Sequence, residues 1–190
     1  MAGTVLELRN ITFGYGEKKL FKDFSLTLNR GELIAIVGES GVGKSTLFEI
    51  ITGNLQAQSG SVFSKKIAWI FQDPYSSFHP SYSILNQIME VAKSSDYSRY
   101  LEKLNLTEEN LRALPHELSG GQLQRCSILR ALLMQADILL CDEPTSALDN
   151  IVQLDTMKLL VSLLDNLSIL LITHDKALAK WAADKIITIG

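Results

Sequence analysis

The chain has 190 residues, 46% of them hydrophobic and 21% charged, with a formal net charge of −3 at pH 7. This balance excludes an intrinsically disordered chain and suits a single domain with a buried core, while the negative charge argues against general nucleic-acid binding, and no nucleic-acid partner is expected. No apolar run approaches the ~18–20 residues of a spanning helix, and the start MAGTVLELRN lacks the basic and apolar regions of a secretory leader, so any membrane association is expected to run through a partner.

Val5–Arg9 and Ser25–Leu28 read as strands of a small antiparallel sheet. Uninterrupted apolar runs bounded by turn residues then mark buried strands at Leu33–Val37, Ile67–Phe71, Ile138–Cys141, Ile169–Thr173 and Ile186–Ile189. Between them lie helical patterns: Lys44–Thr52, which Gly53 would cap, then Tyr82–Lys93, Gln122–Gln135 and Ile151–Asp165. Strands alternating with helices predict an α/β fold with a parallel core sheet. Ser76 to His116 carries helical patterning and no clear buried strand, and Lys65-Lys66 reads as a solvated strand edge. The two cysteines, Cys126 and Cys141, sit in apolar surroundings without metal-ligand spacing and read as reduced core thiols.

Gly38-Glu39-Ser40-Gly41-Val42-Gly43-Lys44-Ser45 follows a strand and opens a helix, the context in which this pattern is a phosphate-binding loop. Its glycines let successive backbone N–H groups turn toward one anion, and the helix N-terminus adds its dipole. Lys44 is expected to reach the β- and γ-phosphates, Ser45 to place its hydroxyl on Mg²⁺, and Thr46 to donate to the α-phosphate. Ile138-Leu139-Leu140-Cys141-Asp142-Glu143 is an apolar strand that delivers two carboxylates to the sheet edge. Alternation along it points Asp142 and Glu143 in different directions, which predicts different roles; Asp142 resembles the Walker B aspartate that orients Mg²⁺, and Glu143 the general base that polarises the attacking water.

Leu118-Ser119-Gly120-Gly121-Gln122, together with the phosphate loop and the acidic strand, resembles the signature of ABC transporter ATP-binding subunits over nearly the whole chain. That resemblance implies a P-loop NTPase fold with a parallel core sheet, a small antiparallel β subdomain and a helical subdomain at roughly 76–118, within one domain spanning 1–190. It implies ATP and Mg²⁺ as ligands, adenine stacking on Tyr15, a loop glutamine at Gln72 that ligates Mg²⁺ or holds the water, and a switch histidine at His174. Ser119, Gly120, Gly121 and Gln122 would serve the nucleotide of a facing ABC ATPase subunit, with Ser146-Ala147-Leu148-Asp149 across that interface.

Phe71-Gln72-Asp73-Pro74-Tyr75-Ser76-Ser77-Phe78-His79-Pro80 and Ala147-Leu148-Asp149-Asn150-Ile151-Val152-Gln153 are similar to segments of dipeptide, oligopeptide and nickel importers. Two permease subunits, an extracytoplasmic binding protein and a place on the cytoplasmic face of the membrane follow from that likeness. The alternative is a non-transport ABC ATPase in a soluble complex, either an enzyme accessory or a nucleic-acid-associated machine. The chain carries no zinc-binding cysteine pairs and no coiled-coil arms to support the latter.

Overall fold

The computed structural model describes residues 3–16, 18–144 and 150–190. Ser146–Asp149 and most of the second importer-like segment therefore lie outside the described residues or their described side chains.

The apolar runs form a five-stranded sheet of parallel neighbours, in the order β5 (Ile67–Ile70), β6 (Ile138–Asp142), β7 (Ser168–Ile172), β3 (Leu33–Val37), β8 (Lys185–Thr188). Every residue of β3 and β7 is buried, as expected of strands covered on both faces. Alternation divides them between two cores. Leu139, Cys141, Ile169 and Leu171 face one layer, whereas Ile138, Leu140, Leu170 and Ile172 face the other.

The first layer is built by helices. α2 (Ile84–Val91), α3 (Ser98–Leu104) and α4 (Glu108–Arg112) pack with α5 (Gly120–Leu133) and α6 (Asn150–Val161). Cap residues punctuate them: Ser83 for α2, Thr107 for α4 and Asp175 for α7 (Lys176–Ala182) each accept a backbone N–H with the side chain. The second layer is α1 (Lys44–Thr52) under an antiparallel sheet of order β2 (Lys18–Asn29), β1 (Thr4–Tyr15), β4 (Ser59–Ser64).

Several boundaries differ from the sequence expectation, each for a local reason. β1 and β2 are 12 residues each, because register shifts carry the pairing past Asn10 (φ 50°) and Asp23 (φ 52°) and interrupt the alternation. β4 was not expected at all: all six of its residues are exposed, so it has no apolar signature. α2 starts two residues later than Tyr82 because Ser83 caps it. α5 starts two residues before Gln122, with Ser119 as its cap. Lys66 is no free solvated edge: its ammonium donates to the Met134 carbonyl at the C-terminus of α5, where a cation meets the negative end of the helix dipole. Among the described residues no helix is long and apolar enough to cross a membrane.

Candidate active site

Because the core strands are parallel, their C-terminal ends open on one edge of the sheet. β3 runs into Gly38–Gly43, β5 into Gln72, β6 into Asp142-Glu143 and β7 into Thr173-His174. Tyr15, Ser40, Gly41, Gly43, Lys44, Ser45, Thr46, Gln72, Asp142 and Glu143 all line one cleft of about 360 Å³. Of the phosphate-loop residues, Gly38, Glu39 and Val42 instead line an adjoining cleft of about 760 Å³, which His174 shares.

The loop is shaped for an anion. Gly41 and Gly43 take φ of 78° and 108°, conformations that cost an L-residue strain. A Cβ on Gly38 would lie 2.4 Å from the Ile189 carbonyl, so only glycine lets the residue after β8 approach this closely. Gly43 caps α1 without a side chain, in contrast to the capped α2, α4, α5 and α7. The first N–H groups of α1 are thus left for a ligand. Lys44 is buried at 7% exposure, and its Nζ donates to the Gly38 carbonyl at 2.8 Å and the Glu39 carbonyl at 2.9 Å. The ammonium is thereby held at the loop before any phosphate arrives.

Burial holds the Asp142 carboxyl above its ordinary range. A hydrogen bond from Ser45 and the charge of Lys44 offset part of that, whereas Glu143 and Glu49 add to it. A partly desolvated carboxylate beside a hydroxyl and a second acid is a donor set suited to a hard divalent cation. Among the described residues no three His, Cys, Asp or Glu side chains converge as a self-sufficient metal cluster.

Glu143 departs from the expected alternation. β6 ends at Asp142, and Glu143 takes φ of 44°, a left-handed conformation that costs a non-glycine residue about 1–3 kcal/mol. Its N–H donates to the Ile172 carbonyl at 3.0 Å, and its Oε2 lies 2.9 Å from His174 Nδ1. The kink therefore brings both carboxylates to one cleft instead of sending them to opposite faces. It also ties Glu143 to His174, so this carboxylate links the two adjoining clefts.

Tyr15 ends β1 with 59% exposure, and its ring stands perpendicular to that of Phe13 with centroids 5.1 Å apart, which leaves much of it open to a planar group. Lys18 and Leu20, across the β1–β2 turn, also line the cleft. Sequence reasoning passed over both, because only the folding of the small sheet onto the loop brings them there.

Ser119, Gly120, Gly121 and Gln122 are not among the residues lining the Lys44 cleft. Gly120 opens α5, and Ser119 and Gln122 close a reciprocal capping box: Ser119 Oγ accepts from Gln122 N at 3.3 Å, and Gln122 Oε1 from Ser119 N at 2.9 Å. The Ser119 hydroxyl keeps its own proton to donate outward. The turn Pro74–Ser77 packs beside this helix, with Tyr75 Oη donating to the Leu118 carbonyl at 2.9 Å and Arg130 to the Ser77 carbonyl at 2.7 Å. Both cysteines are buried and free, and burial pushes the Cys126 thiol up to about 12, so neither is a nucleophile.

Residues 21–146 match the family model described as ABC transporter. The chain belongs to the ABC transporter family. It is 33% identical to the nickel import system ATP-binding protein NikE of Staphylococcus aureus, an alignment covering 97% of this chain and 86% of that protein. Among solved structures it resembles cbiO1 of Clostridium perfringens, part of the ABC transporter complex cbiONQ (TM-score 0.86, 26% identity, 98% of this chain and 85% of that one). A putative metal-chelate type ABC transporter in an inward-facing conformation is equally similar (TM-score 0.85, 28% identity, 99% and 80%). It also resembles, somewhat less closely, an ATP-binding cassette in a dimeric post-hydrolysis state bound to ADP and phosphate (TM-score 0.80, 28% identity, 97% and 94%). The P-loop NTPase architecture and the assignment as an ABC ATPase stand on these likenesses and on the sheet topology above.

Proposed function

We propose that this ABC ATPase energises import of nickel or a metal chelate across the cytoplasmic membrane, as a peripheral subunit on its cytoplasmic face. The carrying observation is the convergence of Lys44, Ser45, Asp142 and Glu143 on one cleft at the C-terminal sheet edge. The cargo is inferred from the relatives, among them a nickel import protein and a putative metal-chelate type transporter.

In this reading adenine stacks on Tyr15, and the N–H groups of Ser40 to Thr46 with Lys44 hold the phosphates. Glu39 and Val42 shape the loop, the former through the carbonyl that anchors Lys44. Ser45, Gln72 and Asp142 would hold Mg²⁺, which supplies charge neutralisation to the β- and γ-phosphates. Glu143 takes a proton from water as the water oxygen bonds to the γ-phosphorus. The bond from that phosphorus to the β–γ bridging oxygen breaks, leaving ADP and inorganic phosphate. His174, already 2.9 Å from Glu143, orients that carboxylate and reaches the γ-phosphate.

The second half of each site comes from a facing ABC ATPase subunit, through the Ser119 hydroxyl and the N–H groups of Gly120 and Gly121, with Gln122 fixing Ser119. Of two permease subunits, one would dock on this chain where Trp69, Phe71, Val91, Arg130 and Met134 line a cleft of about 360 Å³ between β5, α2 and α5, and the other on the facing subunit. An extracytoplasmic binding protein would deliver the cargo. Nickel uptake by cells carrying Lys44→Ala tests this: loss of uptake supports it, while unchanged uptake, or recovery of the chain in a soluble complex without polytopic subunits, contradicts it.

A further inference from the structure

Between the loop that follows β5 and the N-terminal half of α5 lies a separate cleft of about 230 Å³. Gln72, Asp73 and Tyr75 form one wall, Gly120 and Gln124 the other, and Pro144 closes one end. Gln72 borders this cleft on one side and the Lys44 cleft on the other. Gln124 is only 2% exposed, yet its Nε2 has no hydrogen-bond partner among the described residues. A buried amide donor left unpaired is costly, and native structures keep few of them without a use.

An acceptor stands in the opposite wall. Asp73 Oδ1 accepts from Tyr75 N at 3.0 Å, and this leaves Oδ2 for a second donor. The chain just beyond Asp73 is pinned to α5, by Tyr75 Oη on the Leu118 carbonyl and Arg130 on the Ser77 carbonyl. Phe71 stacks on Trp69 of β5 and Asp73 caps the pinned turn, so Gln72 is the junction between β5 and the turn beside α5. A ligand in the Lys44 cleft would meet this junction at Gln72.

We infer that Gln124 is a positioning residue for ATP hydrolysis, its Nε2 donating across the cleft to the Asp73 carboxylate when the Gln72 loop closes onto α5. The bond exists only in the closed arrangement, so its energy favours the state in which Gln72 is held beside Asp142 and Glu143. In the open arrangement the same amide is a destabilising orphan. The device thus couples the Gln72 loop to the Ser119 helix within one chain. It rests on ATP hydrolysis at the Lys44 cleft.

Three variants in the assembled complex test it. Gln124→Leu removes the orphan amide at similar volume and should raise the nucleotide-free Tm while lowering kcat about tenfold, with KM for ATP little changed. Gln124→Glu faces Asp73 with a like charge and should lower kcat further. Adding Asp73→Asn to Gln124→Glu restores a donor–acceptor pair of reversed polarity, and most of kcat should return. Full kcat in Gln124→Leu, a fall in its Tm, or no recovery in the reversed pair would each overturn the inference. Absence of hydrolysis by the unsubstituted complex would instead sink the reading of the Lys44 cleft.

Discussion

Ser119 carries two loads that substitution can separate. In the isolated chain it caps α5, accepting from Gln122 N at 3.3 Å, while nine of the 14 residues of that helix are held by burial. Ser119→Ala should therefore cost about 1 kcal/mol, the usual value of a lost N-cap, without unravelling the helix. For a domain of this size that lowers Tm by roughly 2–4 °C. Ser119→Asp keeps a capping oxygen and adds a negative charge at the positive end of the helix dipole, so Tm should hold or rise. In the facing-subunit reading, however, that carboxylate meets a γ-phosphate. Two unit charges about 4 Å apart at an effective dielectric constant near 20 repel by about 4 kcal/mol, close to a thousandfold in association. Thermal melts and equilibrium sedimentation with Mg-ATP, in a Glu143→Gln background, measure the two loads. Ser119→Asp that melts like the parent and still associates as tightly would refute the argument, because the hydroxyl would then be only a cap.

Tyr15→Ala should weaken ATP binding by about 1–3 kcal/mol, the range for stacking a base on an aromatic ring, whereas Tyr15→Trp should retain it; isothermal titration with ATP and with free triphosphate checks this, since the triphosphate should bind both variants alike. Burial raises the Asp142 carboxyl above its ordinary value of 3.8, so the nucleotide-free chain gains stability from protonating it. That gain is complete below pH 3.8 and is lost as pH rises through the raised value. Asp142→Asn should consequently melt like the parent at low pH and above it at neutral pH, with the order reversed when Mg-ATP is added. Melting curves across that range that stay parallel would show that the carboxylate is not strained by burial.

The sequence makes the contiguous parts of this site legible and leaves the folded-over parts hidden. Leu33–Val37, the phosphate loop and α1 are one uninterrupted stretch in which apolar run, glycines and cap follow in order, and α1 has the bounds expected of it. α5 begins two residues before its sequence pattern suggests, because two adjacent glycines read as loop. The Ser119-to-Gln122 spacing is a capping-box signal that marks the true start. α7, at seven residues, is too short for a clear helical period, although Asp175 ahead of Leu178 and Ala179 is a readable cap. Alternation could not foresee the left-handed Glu143, since its partners, the Ile172 carbonyl of β7 and His174 just beyond that strand, are distant in sequence. Lys18, Leu20 and Gln124 carry no local signal, as each meets its cleft only through tertiary packing.

Pairing of two ABC ATPase chains around ATP is the claim on which the functional account turns. Glu143→Gln should bind Mg-ATP without consuming it, so the complex purified in its presence can be analysed for mass and nucleotide content together. The account predicts a species holding two ABC ATPase chains that retains unhydrolysed ATP in one-to-one ratio with them. A single ATPase chain that holds ATP and recruits no second one would contradict it.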